Sequence, residues 1–151
     1  MRYLLFALCG LFFFSCDKGL TDEQQLQADI EKIKEYLADR NLTAESTASG
    51  LHYIITTEGT GVHPTINSTV TVNYVGKLLK NEKVFDQTTG TPATFPLKNL
   101  IQGWQEGIPF LKKAGKGTFF IPSALGYGPS GSGSAIPANA PLIFEIELVN
   151  F

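Results

Sequence analysis

The spacing of apolar residues changes character three times along the 151-residue chain. After Arg2, the run Tyr3 to Phe14 carries no charge and is mostly apolar. From Thr21 the apolar positions follow a helical period: Leu26, Ile30, Ile33 and Leu37 are four, three and four apart, with Glu31, Lys32, Lys34 and Glu35 on the other faces. Thr21 followed three residues later by Gln24 is a capping-box pattern. Asp39-Arg40-Asn41 ends the run where Asn accepts a left-handed backbone, so the pattern predicts a helix over Asp22 to Arg40 within an N-terminal segment 21–42. Its apolar stripe has two readings, packing on its own domain or pairing with a second copy in a homodimer. It is shorter than the three or four heptads that argue for a coiled coil. Residues 43–50, rich in Thr, Ser and Ala, read as a linker.

Beyond Gly50 the period becomes that of strands. Candidates are Leu51 to Thr56, Thr69 to Val75, Lys83 to Phe85, Phe95 to Leu97, Gly117 to Ile121 and Leu142 to Val149. In the last, Leu142, Phe144, Ile146 and Leu148 alternate with Glu145 and Glu147, which predicts an antiparallel sheet with one wet face. Gly59-Thr60-Gly61 reads as a turn. Between the strands Trp104, Ile108 and Leu111 recur at helical spacing, and Lys112-Lys113 suit a helix C-terminus. Pro109 is costly in a helix interior but tolerated in a first turn, so this helix is short or starts near Glu106. The expected class is α+β, a domain over 51–151 preceded by the N-terminal helix.

Twelve uncharged residues are too few for a membrane span of about 20 but fit the core of a secretion signal, here residues 1–15. The following Phe13-Phe14-Ser15-Cys16 resembles a lipobox, which implies that Cys16 becomes the first mature residue and is diacylated, palmitate-like, with 16–20 as the tether. The anchored chain would then face the bacterial envelope, at a periplasmic or outer-membrane face. The other cysteine, Cys9, lies in the removed segment, so no disulfide forms within the domain.

The net charge of −2, with twelve dispersed Lys and Arg, gives no footprint for nucleic acid. His52 and His63 have no cysteine partners and make no metal pattern. No phosphate-binding loop or Gly-x-Ser-x-Gly elbow occurs, and neither metal nor cofactor is expected.

Five blocks, Val72-Asn73-Tyr74-Val75-Gly76, Val84-Phe85-Asp86, Leu100-Ile101-Gln102-Gly103-Trp104-Gln105-Glu106-Gly107, Leu125-Gly126-Tyr127-Gly128 and Ile136-Pro137 before Leu142-Ile143-Phe144-Glu145, occur in the order and spacing of the FK506-binding protein family. The chain resembles that family from about Gly50 to Phe151. Pro92 to Leu97 is most similar to the exported branch that includes macrophage infectivity potentiator proteins. The resemblance implies a five- or six-stranded antiparallel sheet wrapped over a short helix, and peptidyl-prolyl cis-trans isomerase activity on proline-containing polypeptides, with FK506 or rapamycin as inhibitors. The alternative is a non-catalytic, chaperone-like or partner-docking lipoprotein using the same pocket or the N-terminal helix.

Carried over by position, the resemblance implies catalytic roles for Tyr74, Phe85, Asp86, Ile101, Trp104 and Tyr127, and substrate contacts from Phe95, Leu100, Ile136 and Phe144. Trp104 would floor the pocket, and the Ile101 N–H and Tyr127 hydroxyl would hold substrate carbonyls. Asp86 would bond Tyr74 and polarise the pocket, since no proton need move. Ala93, Ser132 and Ala138 depart from the family pattern, which implies a roomier pocket. The Gly-rich flap Pro129 to Ser134 is expected to be mobile and to tune substrate preference.

Overall fold

The computed structural model describes residues 19–151. Residues 1–15, where a signal peptide is expected, Cys16 and most of the expected tether lie outside the described residues.

Helix α1 spans Asp22–Asp39. The capping box forms as the sequence predicts: the Thr21 hydroxyl accepts from the Gln24 N–H at 3.2 Å, and Gln24 Oε1 accepts from the Thr21 N–H at 3.0 Å. At the other end Asn41 is left-handed, with φ 53°, and the Leu42 N–H closes back on the Leu37 carbonyl.

Seven strands follow: β1 Glu45–Ser46, β2 His52–Thr57, β3 Thr69–Leu78, β4 Val84–Gln87, β5 Ala93–Pro96, β6 Lys116–Ile121 and β7 Leu142–Asn150. They form one antiparallel sheet in the order β1-β2-β6-β7-β3-β4, with β5 also paired to β3. One strand exceeds the expected five or six. It is β1, inside the segment read as a linker, which hydrogen-bonds to β2. The low local hydrophobicity of 43–50 hid a two-residue pairing, in which the Tyr53 hydroxyl also donates to Glu45 Oε2 at 2.8 Å.

Helix α2 spans Gln102–Gly107 and gives way to a 3-10 turn, Ile108–Phe110. The alternative start near Glu106 is therefore incorrect. Pro109 sits in the 3-10 turn, where it interrupts no α-helical ladder. The inward residues of the sheet, Val70, Val72, Phe119, Ile121, Leu142, Phe144, Ile146 and Leu148, close on Trp104, Ile108 and Leu111 to form the main core.

The opposite face of the sheet is only partly wet. Phe120 and Ile143, which alternation assigns to the solvent side, are 1 % and 2 % exposed because α1 lies over them with Ile33 and Leu37. Tyr36 packs on Phe120 with ring centroids 5.7 Å apart. Gly50, at φ 89°, lets the chain pass so close to α1 that a Cβ there would lie 2.8 Å from Ile30 Cδ1. Of the two readings of the apolar stripe, the fold uses the first: the helix packs on its own domain.

Candidate active site

The cleft is built where β3, β5 and β7 curve over α2. Trp104 is 5 % exposed, and three aromatic rings stand edge-on to it: Tyr74 at 5.1 Å and 82°, Phe144 at 5.2 Å and 90°, and Phe95 at 6.4 Å and 81°. Edge-to-face packing of this kind satisfies the ring quadrupoles and fixes each ring against the next. The cavity above Trp104 measures about 350 Å³ and is lined by Tyr74, Asp86, Phe95, Asn99, Leu100, Ile101, Trp104, Tyr127 and Phe144. Eight of the ten pocket residues expected from the sequence are thus brought together.

Phe85 and Ile136 are not among the lining residues. Phe85 stands edge-on to Phe144 at 5.5 Å and 83°, so it supports a wall. Ile136, 5 % exposed, belongs to the core. Asn99 is a lining residue that the sequence reading missed, and only its place beside Leu100-Ile101 could have marked it. Thr88 was also missed. Its hydroxyl accepts from the Tyr74 N–H at 3.0 Å, and its own N–H reaches the Tyr74 carbonyl at 3.0 Å, which pins the backbone under the Tyr74 ring.

The polar groups gather at the mouth. The Tyr74 hydroxyl donates to Asp86 Oδ2 at 2.7 Å. Burial, then the Asp86 hydrogen bond and charge, and the neighbouring Tyr127 push the Tyr74 hydroxyl up to about 12. Tyr127 is raised as well, by burial first and then by Asp86. Both phenols are therefore neutral donors near neutral pH. Ile101 caps α2, its carbonyl accepting from the N–H groups of Trp104 and Gln105 at 2.9 and 3.1 Å. The Gln105 side chain in turn donates to the Leu100 and Lys98 carbonyls at 2.7 and 3.2 Å, which ties down the wall holding Asn99 and Leu100. The flap is not open coil: Ser132 and Ile136 exchange backbone hydrogen bonds at 2.8 and 3.1 Å.

The Trp104 Nε1 is the one buried side-chain polar atom among the described residues without a hydrogen-bond partner. No group of His, Cys, Asp or Glu among the described residues is arranged to hold a metal ion. The site offers shape, apolar surface and a few polar groups at its mouth, the Asp86 carboxylate among them.

A family profile for FKBP-type peptidyl-prolyl cis-trans isomerases matches residues 61–149. The chain belongs to that family. It is 48 % identical over 127 residues to a probable FKBP-type isomerase, FkpA, of Neisseria meningitidis, covering 82 % of this chain and 46 % of that protein. It is 41 % identical over 104 residues to the outer membrane protein MIP of Legionella longbeachae, covering 68 % of this chain and 44 % of that one. These matches agree with the macrophage infectivity potentiator branch. A crystal structure of a peptidyl-prolyl cis-trans isomerase from Pseudomonas syringae superposes with a TM-score of 0.71 at 33 % identity, covering 88 % of this chain and 97 % of the other. The chain spans about half the length of the curated relatives it matches. The FKBP-type domain accounts for the whole cleft, since every lining residue falls within 61–149.

Proposed function

We propose that this FKBP-type domain catalyses rotation about Xaa-Pro bonds in exported proteins and so assists their folding at the cell envelope. The observation that carries the reading is the cleft itself, a tryptophan floor held by three perpendicular aromatic rings with the Tyr74–Asp86 pair and Tyr127 at its mouth.

Rotation breaks no bond. The Xaa-Pro amide must pass through a twisted state about 18–20 kcal/mol above the planar one, in which resonance is lost and the carbonyl and nitrogen carry less separated charge. An apolar cavity suits that state better than water does. Trp104, Tyr74, Phe95 and Phe144 supply the apolar surroundings and grip the proline ring, with Leu100 beside them. The Ile101 N–H and the Tyr127 hydroxyl hold the flanking carbonyls, while Asp86 orients Tyr74. Phe85 and Ile136 act from behind the wall. The unpaired indole N–H supports the assignment, because a buried donor without a partner costs about 1–3 kcal/mol, and such a cost is tolerated where the residue serves a site as well as a core. Lowering the barrier by about 7 kcal/mol would accelerate rotation roughly 10⁵-fold.

The envelope location rests on the apolar run and lipobox-like Cys16, and on the relative named an outer membrane protein. No helix among the described residues is long and apolar enough to cross a membrane; the attachment proposed is acylation of Cys16 after removal of residues 1–15. A homodimer through 21–42 would need the stripe that Ile33 and Leu37 bury within the chain, and the reading favoured here is a monomer, measurable by sedimentation.

The deciding experiment is a proline-isomerisation assay on a short peptide, with Trp104→Ala and Asp86→Val alongside. Acceleration that FK506 or rapamycin blocks, and that both variants weaken, is the expected result. Binding of unfolded chains with only the uncatalysed rate would replace the enzyme with a chaperone-like module.

A further inference from the structure

Asp29 is a carboxylate with no exposed surface, in the middle of α1. Its Oδ2 accepts from the backbone N–H of Ser123 at 2.9 Å and from the Ser123 hydroxyl. Its Oδ1 accepts from Gln25 Nε2 at 2.8 Å and from Lys32 Nζ at 3.2 Å. A carboxylate is retained in such a place only when donors replace its water shell. Attachment of α1 to the sheet does not need it, since Ile33 and Leu37 supply apolar contact with Phe120, Ile143 and Leu79. An apolar side chain at position 29 would bury area as well. What it could not do is fix Ser123.

Ser123 opens the 3-10 turn Ser123–Leu125 that leads into the cleft. Its carbonyl accepts from the Gly126 N–H at 2.9 Å, and Tyr127 comes next. The Tyr127 carbonyl accepts from the Gly131 N–H at 3.1 Å, and the Gly128 carbonyl from the Asn139 N–H at 2.9 Å. Hydrogen bonds thus link Asp29 on α1 to Ser123, 94 positions on, and Ser123 to Gly126, whose peptide bond leads to the tyrosine at the cleft mouth. A second tie acts on the floor: Ser49 Oγ lies 2.7 and 2.9 Å from the two carboxylate oxygens of Glu106, which sits on α2 two residues beyond Trp104.

We propose that Asp29 is a positioning residue for the cleft. Through Ser123 it sets the place of Tyr127, so the N-terminal helix governs how tightly the site holds a proline segment. The catalytic consequence rests on the isomerase reading above; the mechanical link between Asp29 and the Tyr127 loop does not.

The test uses the full chain as wild type, Asp29→Ala, Asp29→Asn, Tyr127→Phe and the Asp29→Ala/Tyr127→Phe double variant, with Ile33→Ala as a control that weakens the same helix without touching Ser123. Hydrogen exchange and peptide isomerisation are measured on each. In Asp29→Ala, the Gly126 and Gly131 amides are expected to exchange at least about ten-fold faster relative to β7 amides, and KM to rise several-fold with kcat nearly unchanged. Asn at 29, which keeps one acceptor for the Ser123 N–H, restores part of both. Ile33→Ala leaves the exchange ratio and KM at their wild-type values. In the Tyr127→Phe background, Asp29→Ala adds no further rise in KM, the non-additivity expected of residues acting through one contact. Exchange at Gly126 that moves only in step with β7, in both Asp29 variants, would overturn the proposal, as would an Asp29→Ala effect on KM that simply adds to that of Tyr127→Phe. A wild-type chain that gives only the uncatalysed rate removes the isomerase reading, and the exchange ratio still decides the Asp29 link.

Discussion

Replacing Gly76 by alanine should damage both the fold and the cleft, from a position that lines neither the pocket nor the helix beneath it. Gly76 lies on β3 opposite Asp86 on β4 and Phe144 on β7. A Cβ built there would stand 2.7 Å from Phe144 Cε1 and 2.8 Å from both Phe85 Cε2 and Cζ. Carbon pairs rest at about 3.5–4.0 Å, so one ring or both must retreat by roughly 0.7 Å or more. Phe85 is half-buried and can give way in part, whereas Phe144, 3 % exposed, cannot. Phe144 is held edge-on by Trp104 at 5.2 Å and by Phe85 at 5.5 Å. Overpacking of a filled core costs about 1–3 kcal/mol, which for a chain of this size lowers Tm by about 3–10 °C. Because displaced Phe144 pushes on Trp104, kcat/KM should fall about ten-fold or more, in line with the sensitivity of catalysis to shifts near 1 Å. Thermal unfolding followed by Trp104 fluorescence reads the first effect, and peptide isomerisation the second. Phe85→Leu in the Gly76→Ala background relieves part of the clash, so the double variant should be more stable than the sum of the two changes. Wild-type Tm and kcat/KM in Gly76→Ala, or strict additivity in the double variant, would refute the reasoning.

Two further outcomes follow from contacts already described. Tyr74, raised to about 12 by burial and Asp86, keeps its proton in the fold while the unfolded phenol loses it near 10; below pH 10 its contribution is complete, and between about 10 and 12 stability falls as pH rises. Tyr74→Phe should remove that share of the alkaline loss in Tm and leave the profile below pH 9 parallel to wild type; identical alkaline slopes would show that Tyr74 carries none of it. Ile33→Ala, at a fully buried contact between α1 and the sheet, should cost about 2–4 kcal/mol in chemical denaturation. A loss under about 0.5 kcal/mol would mean that α1 is not fastened to the domain in solution.

The architecture was legible wherever one residue's environment is set by its near neighbours in sequence. The alternation of Leu142, Phe144, Ile146 and Leu148 located the inner face of β7, and Thr21 with Gln24 located the start of α1 to the residue. What stayed hidden depends on partners far along the chain. Alternation predicted one wet face because it cannot say that a helix from the other end of the chain covers Phe120 and Ile143 there. The stripe on α1 was visible, but its two readings were indistinguishable without the surface it meets. Pro109 counted against a helix before it because a 3-10 turn, which accommodates it, leaves no periodic signature over three residues. The cleft was read more completely than the fold around it, through family blocks that carry Tyr74, Asp86, Ile101, Trp104 and Tyr127. The two ties from the N-terminal segment, Asp29 to Ser123 and Ser49 to Glu106, belong to no block and could be found only in three dimensions.

The way α1 lies along the sheet also bears on where such an enzyme would work. An 18-residue helix standing upright as a stalk would add about 27 Å of height at 1.5 Å per residue. Packed on the sheet through Ile33 and Leu37, it lies against the domain and adds little of that height. If Cys16 carries the proposed lipid, only Asp17 to Thr21 separate the bilayer from the folded body, under about 20 Å even when fully extended. The domain would ride low over the headgroups, its mouth sampling a shallow zone next to the membrane. Prolines presented in that zone, on chains emerging from or inserting into the bilayer, would meet it far more often than those of proteins free in the surrounding compartment.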